Sequence, residues 1–501
     1  MHELLGGIEL GLAVALTPIN LAFCLIGVLV GTLIGVLPGI GPVATMAMLL
    51  PITFSLSPSA ALIMLSGIYY GAQYGGSTTA ILVNVPGESS SVVTCIDGFQ
   101  MARQGRAGTA LAVAALASFL AGTVATLLIA VLAGPLTRLA LLFGAPEYFA
   151  LMTFGLICAV LLSSAPPLRS VAMILLGILC GLCGADITTN AMRFTFGIPE
   201  LTDGLGFVPI GMGVFGLAEI IRNLETGQDR SIVAGRITGL MPGARDLRAA
   251  APAALRGTGV GALLGVLPGG GAVLASFAAY ALERRIARDP DRFGKGAIEG
   301  VAGPEAANNA GAQSSFIPLL TLGIPENSVM ALMAGAMMIQ GIQPSPQIIK
   351  QQPELFWGII ASMWIGNALL LVINLPLIRV WVSLLRVPYR ILFPLVLLTC
   401  SIGVYSVGNS TVDIVLMAGF GALGYLFLKL GCEPAPMLLG FILGPMMEEN
   451  LRRALLMSYG SYWTFVERPI SAGILALAAI LLVALCLPAI RATVSTALKD
   501  A

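Results

Sequence analysis

Two polar strings stand out in the 501-residue chain because most of what surrounds them is apolar. The first, YGAQYGGSTTAILVNVPGESSS at 70–91, sets Gln73, Ser77, Thr78, Thr79, Asn84, Glu88 and Ser89 around Gly75-Gly76 and Pro86-Gly87. The second, PEAANNAGAQSSFIPLLTLGIPENS at 304–328, sets Glu305, Asn308, Asn309, Gln313, Ser314, Ser315, Glu326, Asn327 and Ser328 around Pro325. Hydroxyls, amides and the open end of a helix N-terminus hold carboxylates through neutral dipoles, and carbonyls freed at a helix break suit a cation. Binding of a small organic anion is therefore the chemistry these strings offer. For any single residue a second reading stands beside it, in which Ser, Thr and Asn cap broken ends or bridge helices without touching a ligand.

Further breaks accompany them. Proline removes a backbone donor and glycine permits unusual torsions, so helices should end at Pro38-Gly39, with Gly41 and Pro42 following, and at Pro268-Gly269-Gly270-Gly271. Each of these breaks closes a row of glycines four residues apart, Gly27, Gly31, Gly35 and Gly39 in one case and Gly257, Gly261, Gly265 and Gly269 in the other. That spacing lines one helix face and lets a second backbone come close. In lipid a break persists only where protein or a water-filled cavity satisfies the freed groups, so matching breaks point to a binding site.

The elements that must position these residues are membrane helices. The chain is 57% hydrophobic and 10% charged, against about 25% charged in a soluble protein, too little polar surface to face water all round. A spanning helix needs roughly 20 apolar residues, and runs of that kind recur at 21–37, 107–134, 148–163, 356–377, 391–407, 411–428 and 470–487. The fold class expected is an all-α polytopic membrane protein with about a dozen crossings. Glu3 and Glu9 stand where a cleaved signal would carry basic residues, so the N-terminus reads as the approach to the first membrane segment.

The chain also repeats itself. GVLPGIG at 35–41 returns as GVLPGGG at 265–271, GAQ at 71–73 returns at 311–313, and Val85-Pro86 is answered by Ile324-Pro325. PLTR at 135–138 then matches PLIR at 376–379, and Pro146 matches Pro388, in the same order. The second copy carries an inserted basic stretch at 283–296. Expected boundaries are 15–225 for the first repeat, 226–249 for a linker, 250–455 for the second repeat, and 456–501 for a last helix and tail. Basic residues fall on opposite connections in the two copies: none against Arg284, Arg285, Arg288, Arg292 and Lys295; then Arg103 and Arg106 against Lys350; then Arg138 against Arg379, Arg386 and Arg390. Because cytoplasmic loops collect Lys and Arg, this alternation predicts two inverted-topology repeats with discontinuous helices or re-entrant hairpins, and a cytoplasmic linker.

Other signals are weaker. GMGVFG at 211–216 fits a nucleotide-binding glycine pattern but lies in an apolar segment, where packing is the better reading. Cys180 and Cys183 form a lone CxxC, and the single histidine is His2, so metal or redox work is not expected. Asp186 and Asp413 read as solvated segment ends or intramembrane carboxylates, and Glu219 and Glu448-Glu449 as helix-end residues. The near-neutral charge of +1 gives no support for nucleic-acid binding. No GxxxxGK[ST], HExxH or GxSxG occurs, which leaves ATP drive and intramembrane hydrolysis unsupported. A passive channel remains the alternative to a transporter.

The paired GVLPG(I/G)G segments, the run YGGSTTAILVNVPGE continuing into CIDGFQMARQGRAGTAL, and GPEAANNAGAQSSFIPLLTLGIP resemble the large membrane permease subunit of the tripartite tricarboxylate transporter family, TctA, from about 21 to 456. The resemblance implies a multi-pass protein of the bacterial inner membrane, not an enzyme, and without a cofactor. Its implied partners are a small four-helix membrane subunit and a periplasmic substrate-binding protein, and its implied activity is import of citrate or another organic anion with Na+ or H+. Carried over by motif, the substrate-binding residues would be Pro38, Gly39, Ser77, Thr78, Thr79, Asn84, Pro86, Pro268, Gly269, Gly270, Asn308, Asn309, Ser314 and Pro325, with a possible Na+ near Gly41, Gly75, Gly271 or Asn309. Sequence leaves open which small carboxylate is carried.

Overall fold

The structure is a computed structural model that describes residues 2–37, 41–140, 142–163, 165–186, 189–226, 240–267, 271–384 and 389–486. Helices make up nearly all of it, and among the described residues the strands are one antiparallel pair, Gly184–Ala185 with Met192–Arg193. Every apolar run expected to span a membrane falls on a helix: Pro18–Val36, Ala107–Ala140, Ala145–Leu162, Pro353–Asn374, Tyr389–Gly408, Thr411–Lys429 and Pro469–Cys486. Among the described residues four helices are long and apolar enough to cross a bilayer uninterrupted, and six more apolar helices are shorter. The protein is an all-α, multi-pass membrane protein. Large apolar side chains such as Leu25, Leu127, Leu398, Val415 and Ile480 stay exposed on these helices, as a lipid solvent allows.

Why the glycine rows exist is plain from the packing. A methyl group at Gly27, Gly31 or Gly35 would lie 2.3, 2.4 or 2.3 Å from the carbonyl oxygens of Met64, Ile68 and Ala72 on the Pro58–Val83 helix. The second row repeats the device, with Gly257 and Gly261 set 2.1 and 2.4 Å from the carbonyl oxygens of Gly303 and Ala307 on Glu299–Ser314. Backbone cannot retreat as a side chain can. Gly31→Val is therefore expected to cost about 1–3 kcal/mol of stability, read as a lowered thermal midpoint in detergent; a midpoint equal to wild type would contradict this contact.

One local succession occurs twice. Pro18–Val36 is followed by Gly41–Thr53, and Ala244–Leu264 by Gly271–Ile286, with Gly41 and Gly271 both at positive φ, 64° and 36°. Pro58–Val83 then ends on Asn84, left-handed at φ 58°, and Phe316–Leu322 ends on Gly323, left-handed at φ 75°. After each of these ends comes an extended N-cap, Glu88 or Asn327, and a new helix: a short 3-10 turn at Ser89–Ser91 leading into Val92–Arg103, or Ser328–Ile339. Pro86 and Pro325 sit in these two interruptions, where neither has to supply a helical N–H. The breaks expected at Pro38-Gly39 and Pro268-Gly269-Gly270 fall outside the described residues, as do most of the linker and residues 487–501.

The basic insertion is tied down across the halves. Asp97, fully buried on Val92–Arg103, accepts hydrogen bonds from the amides of Gly296 and Ala297 at 2.7 and 2.8 Å and from the Tyr280 hydroxyl at 2.9 Å. Two expectations change. Glu448 and Glu449 are not at a helix end, because Ala435–Met457 continues past them; Glu448 pairs with Arg193 at 2.9 Å and Arg452 at 2.7 Å, which lets it sit mid-helix. Asp186 is buried rather than solvated, held by Arg452 at 2.7 Å.

Candidate functional site

A cavity of about 670 Å³ forms where helix beginnings converge. Its wall includes Gly41–Ala44 from the start of Gly41–Thr53, and Gly271–Val273 from the start of Gly271–Ile286. It also includes Glu88, Ser89 and Ser90 ahead of Val92–Arg103, and Asn327–Val329 at the start of Ser328–Ile339. The first-turn amides of a helix have no partner inside that helix, and its dipole leaves about half a positive charge there. With Ala435 and Pro436 at the start of Ala435–Met457, five helix beginnings, two from the first half and three from the second, thus turn partial positive charge toward one space. The wall also takes in Ala159, Ser163, Phe215, Glu219, Arg222, Glu433 and Leu439. Volumes of about 300–1,000 Å³ are those of small-molecule sites.

Local sequence explains how the polar groups come to face it. Asn327 is a side-chain N-cap, accepting from the Met330 amide at 2.9 Å, so the helix starts there. On the other side Glu88 accepts from Asn308 Nδ2 at 3.0 Å and from the Ser90 hydroxyl, while Ser90 also lies 3.0 Å from Gln73 Oε1. Gly87 lets this turn press against the first glycine-row helix, since a methyl there would lie 2.1 Å from the Gly35 carbonyl oxygen and 2.5 Å from Gly76 Cα. Arg222 is the sole Lys or Arg on the cavity wall, 3.9 Å from Glu219 Oε2, and shares the wall with Glu88, Glu219 and Glu433.

Of the residues expected in the substrate site, Pro86 lines this cavity, as do Gly41 and Gly271 from the possible cation positions. Most of the rest lie one layer behind. The Ser77 hydroxyl donates to Glu305 Oε2 at 2.5 Å, Thr94 bonds Glu305 Oε1, and Asn309 Nδ2 donates to Ser118 at 2.7 Å. Ser77, Thr94 and Ser118 come from three helices of the first half and Glu305 and Asn309 from one of the second, so this buried cluster joins the halves. Ser77 and Thr78 also border a space of about 20 Å³, room for little more than a water. Thr79 donates to its own helix at the Gly76 carbonyl, 2.9 Å away, and Ser314 lies 3.3 Å from both the Gly261 and Gly311 carbonyls. Asn84 is an exposed left-handed cap, Pro325 is buried in its turn, and a methyl on Gly75 would lie 2.4 Å from the Thr32 carbonyl. Pro38, Gly39, Pro268, Gly269 and Gly270 lie outside the described residues. Among those described, no group of three or more His, Cys, Asp or Glu side chains converges as a metal site.

Tyr69, Ser90, Ser163, Arg222 and Glu433 were not singled out by the sequence. A usable signal existed for the turns: Glu88 and Asn327 each stand two residues after a proline and directly before serine, the pattern of a helix start. Phe215 reaches the wall from the irregular turn Met212–Leu217, a π-helical segment at the GMGVFG stretch, and Glu219 from the helix Ala218–Thr226 that follows it, while Gly213 packs against the Met417 carbonyl. Wide helical turns of this kind often mark functional sites.

Residues 21–439 match the family model described as the tripartite tricarboxylate transporter TctA family. A protein of Agrobacterium vitis, described as an uncharacterized 52.8 kDa protein in the TAR-I ttuC' 3' region, is 58% identical over 491 residues, covering 98% of this chain and 98% of that protein. Another from the same organism, described as an uncharacterized protein in the TAR-II ttuC' 3' region, is 58% identical over 231 residues, 46% of this chain and 96% of that protein. No solved structure matches.

Proposed function

Because the chain belongs to the tripartite tricarboxylate transporter TctA family, we propose that it is the large permease subunit of a secondary transporter that imports a citrate-like tricarboxylate or a related organic anion by Na+ or H+ symport. The observation that carries this reading is the cavity at which five helix beginnings meet beside one arginine. Its donors are fixed amides, hydroxyls and Arg222, a set that binds carboxylates without placing many full charges in the membrane.

The carboxylates on the wall bear on the energy source. Glu88, Glu219 and Glu433 share the cavity with Arg222, so an arriving anion meets repulsion unless cations come with it. Moving each charge against the membrane potential costs ~2.3 kcal/mol per 100 mV, so at least three cations are needed to offset a tricarboxylate. The repeated succession of helix, break and helix, together with the alternating basic loops, supports inverted repeats at 15–225 and 250–455 joined by a cytoplasmic linker. Movement of the cavity-bearing bundle against a frame would give alternating access. The partners are a small four-helix membrane subunit and a periplasmic binding protein that delivers substrate, and the location is the bacterial inner membrane.

The test is accumulation in proteoliposomes holding the permease with both partners, using radiolabelled citrate and a panel of di- and tricarboxylates. Accumulation above equilibrium under an imposed Na+ or pH gradient is expected for at least one acid. Uptake that only equilibrates would favour a channel and overturn symport.

A further inference from the structure

Glu326 is the buried acid that the fold leaves least compensated. Other buried glutamates have strong partners: Glu283 pairs with Arg256 at 2.6 Å, Glu147 with Arg468 at 2.5 Å, and Glu305 takes hydroxyls from Ser77, Thr94 and Ser118. Glu326 is 1% exposed, forms no ion pair among the described residues, and has one donor, Asn327 Nδ2, 2.5 Å from Oε1. Its other oxygen, Oε2, is buried with no hydrogen-bond partner. An ionised carboxylate in such a place costs several kcal/mol unless something neutralises it.

Its position says what neutralisation would accomplish. The carboxyl group lies against Gly271, where a methyl would sit 2.8 Å from Oε1 and 3.3 Å from Oε2, so only the bare glycine at the helix start leaves room for it. Both of its neighbours, Gly271 and Asn327, line the cavity. The titratable group facing it from the first half is the Tyr69 hydroxyl, 3.5 Å from Asn327 Nδ2 and within electrostatic reach of both Glu326 and Glu88. The one basic side chain lining the cavity is Arg222.

We propose that the Glu326 carboxyl group is the seat of a coupling cation, a proton or Na+, held directly behind the substrate cavity; this assignment rests on the symport reading above. With the cation absent, a negative charge stands behind the wall that must receive an anion. With it present, that charge is gone, and cation and carboxylate strengthen each other's binding reciprocally.

The test uses the purified full-length permease in detergent, with citrate and the wider acid panel as probes. Thermal midpoint and carboxylate affinity are followed on replacing choline by Na+ at fixed pH, and on lowering pH from 8.5 to 6 in choline. Wild type is expected to gain stability in one of the two arms, which distinguishes Na+ from the proton, and to bind its acid at least 10-fold more tightly in that arm. Glu326→Gln is expected to lose both responses. A Glu326→Gln protein that responds as wild type does, or a wild type that responds in neither arm, overturns the assignment. If no acid binds under any condition but the midpoint still responds to the cation in wild type alone, the cation site stands and the substrate reading fails. Should Glu326→Gln not fold, carbodiimide labelling of wild type decides. Modification mapped to Glu326 and suppressed by Na+ or by high pH supports the site, and an unlabelled Glu326 overturns it.

Discussion

Gly87→Ala should abolish uptake and lower stability by about 2–3 kcal/mol, a large effect for one methyl group. The added carbon would lie 2.1 Å from the Gly35 carbonyl oxygen, 2.5 Å from Gly76 Cα and 2.8 Å from the Thr79 hydroxyl. Two of these three are backbone atoms, held by the glycine-row contact between Pro18–Val36 and Pro58–Val83. The turn has nowhere to go but outward, and it carries Glu88, Ser89 and Ser90 to the cavity wall. Detergent melting combined with proteoliposome uptake checks the prediction. A variant with wild-type midpoint and uptake would mean that this turn is not packed as described.

Arg222→Gln should leave the fold intact and reduce carboxylate uptake by roughly 10- to 100-fold, the loss of one charge-assisted hydrogen bond in a partly enclosed site. Arg222 is half-exposed, with its side chain 54% accessible, so solvent screens its ion pairs and little stability depends on them. It is the one basic side chain on the cavity wall, and Glu88, Glu219 and Glu433 would then face the substrate without it. Initial rates over a range of acid concentrations would locate the loss mainly in apparent affinity. Unchanged affinity with a lowered midpoint would make Arg222 structural instead.

The helices were legible because their signal is local. A run such as 411–428 contains its own reason to span, and the observed Thr411–Lys429 differs by one residue. The glycine rows also declared their purpose, since spacing alone puts Gly27, Gly31 and Gly35 on one face. Which polar residues face the cavity was a different question, because it depends on which helix ends meet. Ser77, Asn308 and Asn309 have the chemistry of binding residues, yet each sits within a helix and turns toward the opposite half, where Glu305, Glu88 and Ser118 use their hydrogen bonds. Glu88 and Asn327 have similar chemistry but cap helices, and a cap stands where the amides are open. Arg222 and Glu433 come from segments far away in sequence with no motif around them, and only packing brings them to the same wall.

Whether substrate occupies the cavity between the helix beginnings, rather than the hydroxyl cluster behind it, is decided most directly by site-specific protection. Single cysteines at Ser89, Ser328, Ser77 and Thr78, each in a cysteine-free background, would be labelled with a thiol reagent in the presence and absence of the acid that the proteoliposomes accumulate. Ser89 and Ser328 line the cavity, whereas Ser77 and Thr78 border the small space behind it. Slower labelling at Ser89→Cys and Ser328→Cys, with Ser77→Cys and Thr78→Cys unaffected, is the expected result. Protection confined to Ser77→Cys and Thr78→Cys would contradict it and place the substrate in the buried hydroxyl cluster.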